Sequence, residues 1–257
     1  MATTNGALIS VEDVTVRFGG VIAVNRASMA VPAGEIRGLI GPNGAGKTTL
    51  FDTITGMRPP SSGSVSFDGL DITSRSAVWR SRNGIRRTFQ RQQPFGWLSV
   101  EDNVLVALDY HGGGGGLLGD IVAFPTRRRI EAERRDRARK VIERCGLSDV
   151  RDVAAGKLSI GKIRLLELAR AIVDEPRLLL LDEPTSGLEE YEAQRFAAVV
   201  REFRTESEAA VLLVEHDVPF VMNLCDRVTV LNLGEVIAEG TTHEVANNPV
   251  VRAAYLG

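Results

Sequence analysis

The sequence predicts an α/β fold with a mostly parallel sheet flanked by helices, an antiparallel β subdomain and an inserted α-helical subdomain. Short apolar strands alternate with helical segments over residues 178–257. Short apolar runs separated by Gly and Pro, typical of hairpins, dominate the first 90 residues. Residues 95–175 carry helical patterns and no strand pattern. We therefore expect a single domain whose core, residues 1–94 and 176–257, is interrupted by a helical subdomain at residues 95–175.

The composition is that of an ordinary globular protein, and it excludes several functional classes. The chain has 257 residues, of which 44% are hydrophobic and 25% charged, with a net charge of −2. These values exclude a disordered or coiled-coil chain and argue against general nucleic-acid binding. No apolar run approaches the roughly 18 residues that span a bilayer. Cys145 and Cys225 form no CxxC motif, which favours a reduced, cytosolic protein. The 26 glycines exceed the usual share of about 7%, which indicates either flexible loops or positions that need bare backbone.

Five strands are predicted in the first third of the chain. They cover Leu8–Val16, Ala27–Val31, Ile36–Ile40, Ser64–Phe67 and Ile85–Phe89. Gly19-Gly20 turns the chain after the first strand, and Asp68-Gly69 turns it after the fourth. Both turns favour antiparallel hairpins.

The middle of the chain is predicted to be helical. Ser99 is expected to cap a helix that runs to His111, and the five glycines of Gly112–Gly116 are expected to form a flexible loop. Longer helices are predicted at Arg127–Cys145 and Ile160–Asp174. The arginine-rich first of these indicates either a solvated face or a contact with anionic lipid headgroups.

The last third alternates strand and helix. The predicted strands are Leu178–Leu181, Ala210–Val214, Arg227–Leu231 and Glu235–Ala238. The predicted helices are Leu188–Ser207 and Val218–Leu224, with two short helices closing the chain. Parallel strands place their carboxyl ends at one edge of a sheet, where ligands of open α/β proteins bind.

A phosphate-binding loop is the most specific motif in the chain. Gly41–Thr49 matches G-x-x-x-x-G-K-[ST], with a predicted strand before it and a helix, Thr48–Thr55, after it. Bare glycines and the helix start let backbone N–H groups point at phosphate oxygens, Lys47 neutralises phosphate charge and Thr48 ligates Mg²⁺. The alternative is a Gly-rich turn that binds nothing. We expect ATP to be bound by Asn43, Gly44, Ala45, Gly46, Lys47, Thr48 and Thr49.

Acidic residues and a histidine follow two of the later strands. Asp182 ends the apolar run Leu178–Leu181 and is a candidate for holding Mg²⁺. Glu183 follows at once, in position to polarise a water that attacks the γ-phosphate. His216 follows another apolar strand and is a candidate hydrogen-bond partner of the γ-phosphate.

Leu158-Ser159-Ile160-Gly161-Lys162 resembles the LSGGQ signature of ABC-type ATPases. Together with the phosphate loop, Gln90, Asp182-Glu183 and His216, all in family order, it makes the chain similar to one ABC nucleotide-binding subunit with a P-loop NTPase core. The resemblance runs from Leu8 to the C-terminus. It implies an ATPase that uses ATP and Mg²⁺.

The resemblance also implies roles for individual residues. Phe18 would stack on adenine, and Gln90 would reach Mg²⁺ and the attacking water. Ser159 and Gly161 would bind the γ-phosphate held by a second ATPase subunit, so that ATP drives dimerisation and hydrolysis releases it. The second subunit is either an identical copy or a paralogue. The sequence departs from the family pattern at Ile160, Lys162 and Glu189.

Several stretches look like the branched-chain amino acid importer ATPases. They include Val16–Val24, Arg87–Gln90, the set of Glu215–Asp217, Asp226–Leu231 and Ala238–Thr241, and above all the ending Asn248–Gly257. This branch implies two transmembrane permease subunits, a solute-binding protein and a place at the cytoplasmic face of the membrane. The solute would be a branched-chain amino acid or a related small organic molecule. Pro94, Phe95 and Trp97 either receive a membrane-subunit helix or are ordinary core.

Two other functions remain open on the sequence alone. One is a non-transport ABC ATPase, although such proteins usually carry a second cassette or long coiled-coil inserts. The other is a subunit that senses nucleotide with little turnover, suggested by Lys162 and Glu189. Glu183 argues against the second.

Overall fold

The computed structural model describes residues 6–88, 94–108 and 124–256. They divide into two compact units. The first comprises Met1–Gln90, Pro176–Ser186 and Val200–Gly257, and the second comprises Arg91–Glu175 and Gly187–Val199. In this part of the chain, no helix combines the length and apolar character needed to cross a membrane.

A six-stranded sheet forms the centre of the first unit. Its strands are β3 (Ile36–Ile40), β6 (Ile85–Arg87), β7 (Leu178–Asp182), β8 (Ala210–Val214), β9 (Arg227–Asn232) and β10 (Glu235–Thr241). They lie in the order β10-β9-β3-β8-β7-β6, and only β10 is antiparallel to its neighbour. Every residue of β3, β7 and β8 is buried, as expected for parallel strands covered on both faces.

A four-stranded antiparallel sheet is the second layer of this unit. It consists of β1 (Ala7–Phe18), β2 (Val21–Pro32), β4 (Ser62–Phe67) and β5 (Leu70–Asp71), in the order β2-β1-β4-β5. The predicted Gly19-Gly20 turn joins β1 to β2, with Phe18 opposite Val21. Apolar side chains of both sheets share one core with α1 (Lys47–Ile54), the helix that follows the phosphate loop.

A buried arginine fastens the far end of α1. Arg80 lies in α2 (Ala77–Arg82), is 1% exposed, and donates to the carbonyls of Thr53, Ile54 and Ile72 at 2.7 Å each. Burial lowers the pKa of its guanidinium to about 10. The last carbonyls of a helix lack intrahelical partners and carry the negative end of its dipole. Arg80 satisfies both needs and so fixes the helix that begins at the phosphate loop.

The second unit is helical. It contains α3 (Val100–Val106), α4 (Phe124–Arg144), α5 (Ile160–Ile172) and single 3-10 turns at Ser148–Val150 and Ala155–Lys157. Ser99 caps α3 by accepting the N–H of Asp102 at 3.0 Å, as predicted. The exposed pairs Arg129–Glu133 and Arg135–Glu131 lie four residues apart on α4, which favours the solvated face predicted for this helix.

The remaining helices complete the alternation predicted for the last third. They are α6 (Glu190–Ser207), α7 (Val218–Leu224), α8 (Thr242–Ala246) and α9 (Pro249–Leu256). The strands β3 and β8 and the helix α7 have the predicted bounds.

The structure differs from the sequence-based expectation at the helix after Ser99 and at α2. The helix after Ser99 was expected to reach His111, but it ends at Val106 because Ala107 and Leu108 bond three residues back and tighten the last turn. The helix α2 was not predicted, since six residues carry too little periodicity. The glycines Gly112–Gly116 lie outside the described residues.

Candidate functional site

Four loops meet at one edge of the six-stranded sheet. They follow β3, β8, β7 and β6, which are neighbours and run parallel, so that their carboxyl ends share an edge. Adjacent strands are about 4.8 Å apart, so the loops after β3 and β7 begin about 10 Å from each other. This edge carries Lys47, Asp182, Glu183 and His216, predicted separately from the sequence.

Two glycines of the phosphate loop are required by packing as much as by a ligand. A Cβ on Gly41 would overlap the carbonyl oxygen of Leu231, and a Cβ on Gly46 would overlap that of Ala23. Gly44 is different, because no atom lies within 4 Å of where its Cβ would be. The loop therefore rests on the backbone of β2 and β9 on one side and is open at Gly44.

The start of α1 offers donors to an anion. Gly46 is its N-cap with φ of 102°, and no described side chain caps it. The first N–H groups of a helix have no intrahelical partner, and they lie at the positive end of its dipole. Thr48 is exposed at the second helical position, and Asn43 and Gly44 are exposed in the loop before it.

The lysine of the loop is folded back on its own backbone. Lys47 Nζ donates to the carbonyls of Gly41 at 2.6 Å and Pro42 at 2.9 Å. Burial lowers the pKa of this ammonium, and the negative charge of Glu183 opposes the shift. An anionic phosphate in the loop would likewise favour the charged form.

Asp182 ends β7 as a buried carboxylate paired with a buried arginine. Its Oδ2 accepts from Arg87 Nη2 at 2.7 Å, and Arg87 Nη1 also donates to Asp52 of α1 at 2.6 Å. Arg87 thus ties the end of β7 to the phosphate-loop helix. The role of Arg87 was not predicted, although a cation on a strand beside a buried acidic strand end was a usable signal.

Glu183 has a strained backbone. Its φ is +45°, and its N–H donates to the carbonyl of Val214 at 2.9 Å. Left-handed conformations of residues other than glycine cost energy and cluster at functional sites. The turn brings this carboxylate out of the sheet at the edge that holds the phosphate loop.

The backbone of His216 is bound by its neighbour Glu215, a residue not singled out from the sequence, whose Oε2 accepts the His216 N–H at 2.9 Å. The imidazole is 63% exposed, with Nδ1 at 3.6 Å from Glu215 Oε2. Glu215 is fully buried and also accepts hydrogen bonds from Thr185. A charged residue directly after an apolar strand was the available signal.

The signature residues belong to the helical unit. Ser159 is exposed and caps α5 by accepting the N–H of Lys162 at 3.3 Å. Gly161 is buried, and a Cβ there would overlap the carboxylate of Glu192. Lys162 turns away from the helix start and pairs with Asp149 at 2.7 Å, which lowers the pKa of that carboxyl.

Two further predicted positions have different outcomes. Phe18 is 43% exposed at the end of β1, with the Arg58 guanidinium 4.2 Å from its ring centroid. Gln90 lies outside the described residues.

Tyr255 of α9 was not predicted. Burial raises the pKa of its phenol, opposed by a hydrogen bond from the Gly41 backbone.

The residues present fit a nucleotide and a magnesium ion. Uncapped N–H groups, a lysine and an open glycine suit phosphate oxygens. Asp182 and Thr48 supply the oxygen donors that Mg²⁺ prefers. No group of three or more His, Cys, Asp or Glu side chains within residues 6–88, 94–108 and 124–256 could hold a metal.

Comparisons with known proteins give a consistent result. A family model described as ABC transporter matches residues 24–186, and one described as branched-chain amino acid ATP-binding cassette transporter matches residues 235–257. The chain is 39% identical to the high-affinity branched-chain amino acid transport ATP-binding protein LivG of Salmonella typhimurium, over 97% of this chain and 98% of that protein. It is 38% identical to the corresponding BraF of Pseudomonas aeruginosa, with the same coverage.

Solved structures agree with this result. A nucleotide-free ATP-binding cassette from an ABC transporter is 30% identical, with a TM-score of 0.84, and 98% of this chain matches 99% of that one. A cassette in its ADP conformation is also 30% identical, with a TM-score of 0.83 and the same coverage. These similarities confirm the predicted fold class.

Proposed function

The chain belongs to the ABC transporter family of ATPases, and we propose that it is the ATP-hydrolysing subunit of an importer for branched-chain amino acids. The family assignment confirms the resemblance read from the motifs. The observation that carries the solute class is the match of residues 235–257 to a model specific for branched-chain amino acid cassettes. Near-complete coverage of LivG and BraF supports the same branch.

We infer that the residues at the sheet edge have separate roles in ATP binding and hydrolysis. The N–H groups of the phosphate loop and Lys47 bind the phosphates and offset their charge. Glu183 accepts a hydrogen bond from the attacking water and orients it, and His216 donates to a γ-phosphate oxygen. Thr48 and Asp182 would hold Mg²⁺, which neutralises charge that develops on the phosphates.

We propose that two subunits complete each site. Ser159 and Gly161 lie at the start of α5, which is a suitable end of a helix for an anion. In the proposed dimer they contact the γ-phosphate held by the partner subunit. The favourable contacts exist only with ATP in place, so ATP shifts the population towards the dimer and hydrolysis reverses the shift.

The proposed importer also needs subunits that cross the membrane. Trp97 is 80% exposed and packs edge-on to Phe95, with ring centroids 6.1 Å apart. A large exposed aromatic side chain is a common anchor at protein interfaces. This pair supports a docking surface for a permease subunit, which in turn receives solute from a binding protein.

A Glu183→Gln variant tests the ATPase. We expect phosphate release to fall about 10²-fold, as when one preorganised catalytic group is lost, while ATP binding persists and a dimer accumulates on gel filtration with ATP. Glu206→Gln, at an exposed position of α6, is the matched control. Unchanged turnover in Glu183→Gln would show that Glu183 does not orient the attacking water. Turnover equal in wild type and Lys47→Ala would contradict ATP hydrolysis by this chain.

The solute is tested in a reconstituted complex. The chain is purified together with the permease subunits and the solute-binding protein of a branched-chain amino acid importer and placed in proteoliposomes with ATP. We expect leucine, isoleucine or valine to stimulate ATP hydrolysis and to accumulate inside. Stimulation by an unrelated solute alone would refute the proposed substrate class and leave the ATPase assignment standing.

A further inference from the structure

Glu215 is a buried carboxylate at the point where two strand-end turns meet. It follows β8 directly and its side chain is fully buried. Its Oε1 accepts hydrogen bonds from the backbone N–H of Thr185, at 2.9 Å, and from the Thr185 hydroxyl. Its Oε2 accepts from the N–H groups of His216 at 2.9 Å and Asp217 at 3.3 Å. One oxygen therefore holds the turn after β7, and the other holds the turn after β8.

Stability alone is a weak reason for a carboxylate in this place. Removing a carboxylate from water is costly unless hydrogen bonds replace the lost hydration. The four donors around Glu215 do so, and hydrogen bonds to an ionised acceptor are short and directional. Buried ionic networks are often no more stabilising than packed apolar side chains of the same volume. What a carboxylate adds is a fixed geometry between the two groups of donors.

The two turns carry the groups that we assign to hydrolysis. Thr185 lies two residues after Glu183, whose own N–H is bound to the carbonyl of Val214 at the end of β8. His216 is adjacent to Glu215 in sequence, with Nδ1 at 3.6 Å from Oε2. The carboxylate of Glu215 thus binds the turn that carries Glu183, through Thr185, and the backbone of His216.

We propose that Glu215 is a positioning residue for ATP hydrolysis, setting the orientation of Glu183 relative to His216 by holding both turns with one carboxylate. The proposal rests on the proposed function of this site. Being fully buried, Glu215 makes no contact with ATP and acts through its neighbours. A small misplacement of reacting groups is enough to lower a rate strongly.

The test is a Glu215→Gln variant of the full chain. Glutamine keeps the shape but replaces one acceptor oxygen with an NH₂ donor, which cannot accept from the N–H groups it would face. One of the two turns is therefore released. We expect kcat to fall about 10- to 100-fold, as it does when a hydrogen-bonded residue that orients a metal ligand is changed. KM for ATP should change little, because the phosphate loop is untouched.

A double variant separates positioning from general loss of structure. If Glu215 acts through His216, Glu215→Gln and His216→Ala will lower kcat by less together than the product of their separate effects. Glu206→Gln is again the exposed control. A lowered unfolding temperature with an unchanged kcat per bound nucleotide would overturn the proposal. So would fully multiplicative effects in the double variant.

Thr185 supplies an independent test where Glu215→Gln does not fold. Thr185→Val keeps the shape of the side chain and removes the hydroxyl donor to Oε1, and Thr185→Ser restores that hydroxyl. We expect a lower kcat in the valine variant and recovery in the serine variant. Equal rates in both would overturn the proposal. Hydrolysis by the wild type and its loss in Glu183→Gln test the proposed function. They are measured independently of the Glu215 and Thr185 variants.

Discussion

Two helices in this chain begin at glycine-containing motifs assigned to phosphate, and their starts are completed differently. Before α1, Gly46 is the N-cap and no described side chain satisfies the first N–H groups. Before α5, Ser159 caps the helix and accepts the N–H of Lys162. Since uncapped N–H groups need a partner, α1 leaves its donors to a ligand, whereas α5 satisfies one of them itself.

The glycines of these two motifs also face different neighbours. Gly46 lies against the backbone carbonyl of Ala23, which cannot move without the strand that carries it. Gly161 lies against the carboxylate of Glu192, the end of a flexible side chain. The start of α1 is therefore fixed by packing within this chain. The start of α5 faces a flexible side chain, and its proposed contacts with phosphate form only in the dimer.

The largest effect is expected at the start of α1. In Gly46→Ala, the new Cβ would overlap the Ala23 carbonyl oxygen, and φ of 102° is disfavoured for alanine. The loop cannot keep its shape, so we expect ATP affinity to fall more than about 100-fold, comparable to losing the strongest charge-assisted contacts. Fluorescent ATP analogue titration measures this loss.

Gly44→Ala is the matched control within the same loop. Its φ of 79° is also left-handed, but no atom lies within 4 Å of the new Cβ. Only the conformational cost of about 1–2 kcal/mol applies, which corresponds to a loss of about 5- to 30-fold. Equal losses in the two variants would show that packing against β2 does not distinguish these glycines.

Much of the fold follows from the sequence because parallel strands and phosphate loops have strong local signals. The apolar runs at Ile36–Ile40 and Ala210–Val214 are buried on both faces, so their limits are visible in hydrophobicity alone. The helix α2 was missed because its six residues carry too little periodicity, and because the partners of its buried Arg80 are carbonyls from elements that only the fold brings together.

The candidate site likewise has some residues that local sequence predicts and others that only the fold brings together. Motif residues such as Lys47 and Asp182 were predicted because each belongs to a short motif of neighbouring residues. Arg87 and Glu215 were not, because Arg87 binds Asp52 and Asp182, and one oxygen of Glu215 binds Thr185, which are 30 or more residues away in sequence. These partners meet only at the sheet edge. The roles predicted for Gln90 and the other motif residues remain predictions.

A smaller effect is expected from removing the cap of α5. Ser159→Ala should lower the free energy of unfolding by about 1 kcal/mol, the usual value of an N-cap side chain, and the unfolding temperature by about 2–4 °C. Ser76→Ala is matched to it, since Ser76 caps α2 in the same way. Both variants should lose similar stability, but only Ser159→Ala should slow ATP hydrolysis. Equal hydrolysis rates in the two variants would show that Ser159 does not bind phosphate.

The smallest effect concerns Lys162, where the family usually has glutamine. Its ammonium is bound to Asp149 on the surface, so Lys162→Gln should leave ATP hydrolysis unchanged. The pair lowers the pKa of Asp149 below its usual 3.8, so its stabilisation is present at neutral pH and is lost as pH falls through the lowered pKa. Denaturant midpoints of wild type and Lys162→Gln should therefore differ slightly at pH 7 and converge in acid or in high salt.

Asp149→Asn breaks the same ion pair from its other side and serves as the partner control for Lys162→Gln. Because both variants remove one exposed interaction, we expect the same small change in the denaturant midpoint and wild-type hydrolysis in each. If Lys162→Gln alone slows hydrolysis, the ammonium acts on the partner's phosphate rather than on Asp149. The start of α5 would then resemble that of α1, since both would bind phosphate through a lysine. The two helix starts would differ only in whether a side chain caps them.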